Sequence, residues 1–328
     1  MKKKRLFVTM CMMGGFALLM SSCKKANESV EVSINLPQCE EKADGRAYID
    51  FANGGAFKWN AEDQVAIYNL DAQNGANSER AIYQTTTSAA GQATARFSFA
   101  SGDQLSAKKS GYFVFYPVSK LDGELGEDNY QNFSVSATQQ YSKDLNANPT
   151  IDLESMAMAC TLGSLNGTFT LKHIFGILRL KLKGEGNVTR IVVEDSRFNL
   201  NGTVGMKLHA VDMDRFTSLQ NMYINDDDPY ANDNFVAAWN DYKEELSYSV
   251  AGGNEGKTIT LECPSIGLNG DTETPFYVGL RPGALKYGFK VYVYIEGENE
   301  PHVLDYTGQN NLHYGIKAGV IKNISATL

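Results

Sequence analysis

Phe289-Lys290-Val291-Tyr292-Val293-Tyr294-Ile295 alternates apolar residues with lysine and tyrosine at every second position. Period-two alternation of β-branched and aromatic residues is the mark of a strand with one buried face. Similar short runs lie along the rest of the chain, including Gln64-Val65-Ala66-Ile67-Tyr68 and Gly111-Tyr112-Phe113-Val114-Phe115-Tyr116. Between the runs stand turn dipeptides: Asn53-Gly54, Asn74-Gly75, Asn166-Gly167, Asn201-Gly202, Asn269-Gly270, Asp44-Gly45 and Asp122-Gly123. Such pairs tolerate the positive φ of hairpin turns, so the pattern predicts an all-β chain of sandwich type. One segment departs from it. Phe235, Trp239, Tyr242 and Leu246 follow Asp233 at helical spacing, which predicts a short helix inserted in a loop.

At 328 residues the chain has room for about two domains with cores of their own. The long apolar run from Phe169 to Leu182, after the turn at Asn166-Gly167, opens the second. The N-terminus stands apart from both. Lys2, Lys3, Lys4 and Arg5 precede an apolar run of about 15 residues, Leu6 to Met20, too short for a stable membrane span. It ends in Ser21-Ser22-Cys23, which resembles a bacterial lipoprotein signal with Cys23 as the lipid acceptor; an ordinary secretory signal is the other reading. Acyl chains contribute roughly 0.8 kcal/mol per buried methylene, and several together anchor a protein stably. The predicted division is therefore 1–22 signal peptide, 23–46 lipid tether and N-terminal strand, 47–165 N-terminal sandwich and 166–328 C-terminal sandwich.

Loss of the signal removes four positive charges and takes the formal charge from −8 to −12. Such an acidic surface disfavours nucleic acid as a partner. Of the five cysteines, Cys11 leaves with the signal and Cys23 takes lipid, leaving Cys39, Cys160 and Cys263. That odd number, without a Cys-x-x-Cys, specifies neither a disulfide framework nor a zinc site; one disulfide or small buried thiols are the readings left.

Beyond Cys23, Val30-Glu31-Val32-Ser33-Ile34-Asn35-Leu36 is an isolated alternating strand, cut off from the rest by a polar, turn-rich stretch to Gly45. This strand resembles the first strand of the fimbrillin-like lipoproteins of Gram-negative anaerobes. Three further features carry the likeness. Ala56-Phe57-Lys58-Trp59-Asn60-Ala61-Glu62-Asp63 leads into the strand Gln64 to Tyr68. Phe169 to Leu182, with Lys172-His173 inside it, precedes Val188-Thr189-Arg190-Ile191-Val192-Val193. Phe276-Tyr277-Val278-Gly279-Leu280-Arg281-Pro282-Gly283 precedes the tyrosine-rich strand and a terminal strand, Gly319 to Leu328. Together these span most of the chain.

The resemblance implies two tandem transthyretin-like β-sandwich domains and a lipid-anchored fimbrial or adhesive subunit of the outer membrane or fimbrium, without enzymatic activity or cofactors. It implies palmitate on the anchor, and other fimbrial subunits or host and bacterial surface receptors as partners. It also implies that an Arg-specific protease cuts Arg46-Ala47 and removes the first strand. Val30, Val32, Ile34 and Leu36 are then the exchangeable strand. A missing strand bares an apolar groove and two backbone edges, which invites strand addition from another subunit. Arg46 otherwise reads as a solvated turn residue. The terminal strand Val320-Ile321-Lys322-Asn323-Ile324 is either a donor or the closing strand of the second domain.

Other chemistries find no support in the residues. Gly252-Gly253-Asn254-Glu255-Gly256-Lys257-Thr258 is one residue short of a phosphate loop and reads as a hairpin turn between strands. His173, His209, His302 and His313 lack metal-ligand spacing, and His173 reads as a packing residue. Glu194-Asp195 are adjacent on a strand, so they face opposite ways and cannot share a substrate. Asp226, Asp227 and Asp228, with Asp233, form a solvated charge run or a calcium loop without the fixed spacing of one. No nucleophile elbow marks a secreted hydrolase. The functional alternative is a surface glycan-binding lipoprotein that stacks sugars on Tyr287, Tyr292 and Tyr294, which otherwise cover one sheet.

Overall fold

The structure, a computed structural model, describes residues 32–35, 58–59, 61–69, 79–85, 92–105, 111–122, 130–143, 148–151, 157–207, 254–281, 283–307, 315–317 and 319–328. Strands make up most of these residues, and the helical segments among them are two 3₁₀ turns, Val118–Lys120 and Asn254–Lys257. The helix predicted over 233–246 lies outside the described residues, as does the acidic run 226–228. No helix among the described residues is long and apolar enough to cross a membrane.

The first five strands are β1 (Val32–Asn35), β2 (Gln64–Asn69), β3 (Arg80–Thr85), β4 (Thr94–Gly102) and β5 (Tyr112–Tyr116). A run of short strands follows: β6 (Leu121–Asp122), β7 (Tyr130–Val135), β8 (Thr138–Gln140), β9 (Ser142–Lys143) and β10 (Pro149–Thr150). The chain then returns through β11 (Met158–Leu162), β12 (Thr168–Thr170) and β13 (Lys172–His173). These build an eight-stranded sheet in the order β12-β1-β4-β3-β2-β5-β11-β13. Its two end strands are consecutive in the chain, with the fully buried Leu171 alone between them. The sheet therefore closes on itself, and segment 168–173 is a strap that pairs with β1 on one side and β11 on the other.

The remainder runs through β14 (Gly176–Lys183), β15 (Asn187–Asp195), β16 (Gly202–Lys207), β17 (Thr258–Gly267), β18 (Thr274–Leu280), β19 (Phe289–Ile295), β20 (His302–Asp305) and β21 (Ile321–Thr327). A three-stranded sheet, β18-β14-β21, faces a five-stranded one, β20-β19-β15-β17-β8. The alternation read in β19 holds: Phe289, Val291, Val293 and Ile295 are buried and the residues between are half-buried. The run 169–182 is divided among β12, β13 and β14. The chain bends at 174–175 and restarts at Gly176, where a Cβ would sit 2.1 Å from the Lys317 carbonyl oxygen.

Buried apolar side chains gather in two clusters. One holds Ile34, Trp59, Phe97, Phe113, Phe115 and their neighbours through Ile177, with Tyr277 of β18 and Ile321 of β21; the other holds Leu178, Ile191, Phe276, Phe289 and Val293 among others. β7 and β8 stitch them together. β7 pairs with β16 while Phe133 turns its ring into the first cluster, 5.1 Å from Phe115 and 6.2 Å from Phe175. β8 joins the five-stranded sheet beside β17, and buried Gln139 exchanges two hydrogen bonds with Gly279: its amide donates to the carbonyl at 2.8 Å and its oxygen accepts the N–H at 2.9 Å.

The turn expectation holds in part. Gly167 and Gly202 adopt positive φ, 125° and 123°. Asn269-Gly270 closes its turn, with Thr272 N–H donating to the Asn269 carbonyl at 3.1 Å, but Gly270 lies outside the positive-φ region; this is not the turn type expected of the dipeptide.

Candidate strand-exchange site

β1 occupies a slot in the closed sheet. Toward β4 it runs antiparallel, with Val32 opposite Phe97, Ser33 opposite Arg96, Ile34 opposite Ala95 and Asn35 opposite Thr94. Toward the strap it runs parallel, with Ser33, Ile34 and Asn35 facing Thr168, Phe169 and Thr170. Alternation in the sequence decides which side chain turns inward. Ile34 is fully buried in the first cluster and Ser33 is half-buried on the outer face. Small Ala95 opposite Ile34 leaves room for the branched side chain, so the slot and its occupant are complementary in size.

Trp59 backs the slot. Its indole, fully buried, donates from Nε1 to the Ile34 carbonyl oxygen at 3.0 Å. Phe97 and Tyr116 grip the ring edge-on, with centroids 4.8 Å and 5.4 Å away and interplanar angles of 76° and 86°. The Trp59 N–H donates to the Gln92 carbonyl at 2.8 Å, and the Tyr116 hydroxyl reaches Asp63 Oδ1 at 3.3 Å. Adjacent strands lie about 4.8 Å apart, so taking β1 away would leave β4 and β12 roughly 9.6 Å apart, two spacings with room for one strand between them. It would also strip two rows of backbone groups of their partners and bare the apolar residues behind them.

Of the strand-exchange residues read from the sequence, Ile34 is placed in the core, and Val32 lies in β1 opposite Phe97. Val30, Leu36, Cys23, Arg46 and Ala47 lie outside the described residues, as does Cys39. β21 pairs parallel to β14, Ile321 opposite Ile177 through Thr327 opposite Lys183, and forms one edge of its sheet. The sequence left two parts of the slot unread. Trp59 stood out only as part of a motif, and the strap was hidden inside an apolar run.

The remaining candidates take structural places. Glu194 and Asp195 point to opposite faces. Asp195 is buried and accepts the backbone N–H groups of Arg197 and Phe198 at 2.7 Å and of Leu285 at 2.6 Å, whereas Glu194 accepts the Tyr292 hydroxyl at 2.7 Å. That bond to Glu194, ahead of desolvation, pushes the Tyr292 phenol up to about 12. Arg190 lies over the Tyr294 ring at 3.9 Å and Arg197 over Tyr287 at 4.5 Å, so all three tyrosines carry intramolecular contacts. Burial takes the His173 imidazole down to about 3, and the thiols of Cys160 and Cys263, both free, up to about 12. Lys257-Thr258 leads from a 3₁₀ turn into β17, a strand where a phosphate loop would open a helix. Among the described residues, no group of three metal-ligating side chains occurs.

No protein-family model and no curated protein matches the sequence. Solved structures similar to this chain include adhesion and fimbrial proteins of Bacteroides and Porphyromonas. A candidate cell adhesion protein of Bacteroides uniformis is 13% identical, with 90% of this chain and 93% of that one covered and a TM-score of 0.46. One from Bacteroides ovatus is 11% identical, with 91% and 92% covered and a TM-score of 0.45. The tip fimbrial protein Mfa3 of Porphyromonas gingivalis, truncated at its C-terminus, is 10% identical, with 90% and 95% covered and a TM-score of 0.31.

Proposed function

We propose that this chain is a surface-anchored fimbrial subunit or cell-adhesion lipoprotein that assembles by β-strand exchange once its N-terminal strand is removed. The observation that carries the reading is the position of β1: a strand far from its neighbours in sequence fills a one-strand slot, with Ile34 buried behind it. A strand held only at the end of a polar linker leaves its slot with less disruption than any hairpin-connected strand in the sheet. The same slot then accepts the strand of another subunit by backbone pairing.

In this reading Cys23 carries the lipid, including palmitate, that holds the precursor to the outer membrane. Arg46-Ala47 is the processing bond, and Val30, Val32, Ile34 and Leu36 form the displaced strand. The two halves, 47–165 and 166–328, are transthyretin-like sandwiches, the second with a short helix within 233–246. Partners are other fimbrial subunits and surface receptors, and the chain performs no catalysis. N-terminal sequencing of material shed from the cell surface tests the processing step. The expected first residue is Ala47; mature, assembled material that still begins at Cys23 would contradict it.

A further inference from the structure

We infer that Trp59 is a latch that recognises the main chain, and not the side chains, of whichever strand fills the slot, which rests on the strand-exchange reading above. Indole Nε1 is a donor only, and here it is fully buried and bonded to a backbone carbonyl, that of Ile34, at 3.0 Å. Every residue of every strand offers a carbonyl. Carbonyls that point the same way recur every second residue, about 6.6 Å along a strand, so a different sequence, or the same one shifted by two residues, presents an acceptor at the same place. The bond therefore holds any inserted strand without regard to its composition. Selection among strands falls to the inward side chains, above all the residue opposite Ala95, where Ile34 now sits.

The donor is fixed before a strand arrives. Phe97 on β4 and Tyr116 on β5 hold the ring from two sides, and the Trp59 backbone is tied to Gln92. Such preorganisation lets the bond form without ordering a loose side chain. In an empty slot the same N–H would face apolar surroundings with its acceptor gone, which disfavours emptiness whatever the identity of the departing strand. A subunit that must accept strands from more than one partner gains affinity from this contact and no selectivity.

The test uses the full mature chain nicked at a protease site inserted between Gly45 and Arg46, so that β1 stays seated but is no longer tethered. Fluorescent peptides then displace it. One copies residues 29–37, a second carries Ile34→Val, and a third is an unrelated alternating Val/Thr sequence. Trp59→Phe is expected to speed release of all three by a common factor of about five, the worth of one net hydrogen bond. Replacement of Trp59 by its sulfur isostere 3-benzothienylalanine, in a Trp239→Phe background, keeps the shape without the N–H and should give the same factor. Exchange that is unaffected by either replacement, or slowed or sped for one peptide only, overturns the latch and leaves strand exchange standing. A nicked chain that takes up no peptide at all overturns strand exchange, and the latch falls with it.

Discussion

Truncating Ile34 to alanine asks whether β1 is part of the core or a ribbon laid over it. The side chain is fully buried, between Ala95 and Phe169 on the neighbouring strands. Removing three carbon groups forfeits about 2.4 kcal/mol at ~0.8 kcal/mol for each. The residual cavity raises the cost to about 3–4 kcal/mol, within the range of about 2–5 kcal/mol found for such truncations. Ser33→Ala is the control: same strand, same backbone pairing, outer face, with a cost within about 0.5 kcal/mol. The assay is urea unfolding followed by Trp59 emission, in a Trp239→Phe background so that the signal comes from the first cluster. At an m-value of about 2 kcal/mol/M, Ile34→Ala should lower the midpoint by about 1.5–2 M and Ser33→Ala by no more than about 0.25 M. Equal midpoints for the two variants would refute the reasoning, because a strand that completes the core cannot lose its inward side chain as cheaply as its outward one.

Three other outcomes are expected. Between pH 6.5 and 3 the unfolded chain protonates residue 173 while the folded chain, whose imidazole burial holds down to about 3, does not; the unfolded state then binds the extra proton, so stability is full above 6.5 and falls on acidification by up to about 1.4 kcal/mol per pH unit. His173→Phe should flatten that part of a stability-versus-pH curve, and an unchanged slope would contradict the burial. Buried Cys160 and half-buried Cys263, with thiols pushed up to about 12, should label slowly with a thiol reagent at pH 8, Cys160 the slower, and react once urea unfolds the chain, as mapped by peptide mass spectrometry; rapid labelling of Cys160 in the folded chain counts against its burial. Gln139→Ala strands the Gly279 N–H and carbonyl and should cost about 2–4 kcal/mol by urea titration, whereas a loss under about 0.5 kcal/mol would mean that Gln139 is no stitch between the halves.

Strand character was legible wherever one face is buried, because alternation in β19 or around Ile34 follows directly from the pleat. The same rule foresaw that Glu194 and Asp195 part company, and that tyrosines 292 and 294 share the outer face of β19. Connectivity was not legible. Nothing in the residues around Leu171 says that the chain there closes a sheet at both ends, since pairing partners are fixed by distant strands, β1 and β11. Nor does the short run from Leu121 to Lys143 announce that β7 and β8 pair with the second half of the chain while Phe133 stays in the first cluster. Trp59 is a similar case. Its place in a motif before β2 says nothing of its partner, and only three-dimensional placement shows its N–H aimed at β1.

The most direct measurement is backbone hydrogen exchange, read by mass spectrometry, of residues 94–97 on β4 and 168–170 on the strap in the intact chain, the processed chain and assembled material. Both segments should be protected while β1 is in place, exchange at least tenfold faster once it has been removed, and regain protection when a neighbouring subunit's strand takes its place. Protection that stays the same through all three states would contradict the account.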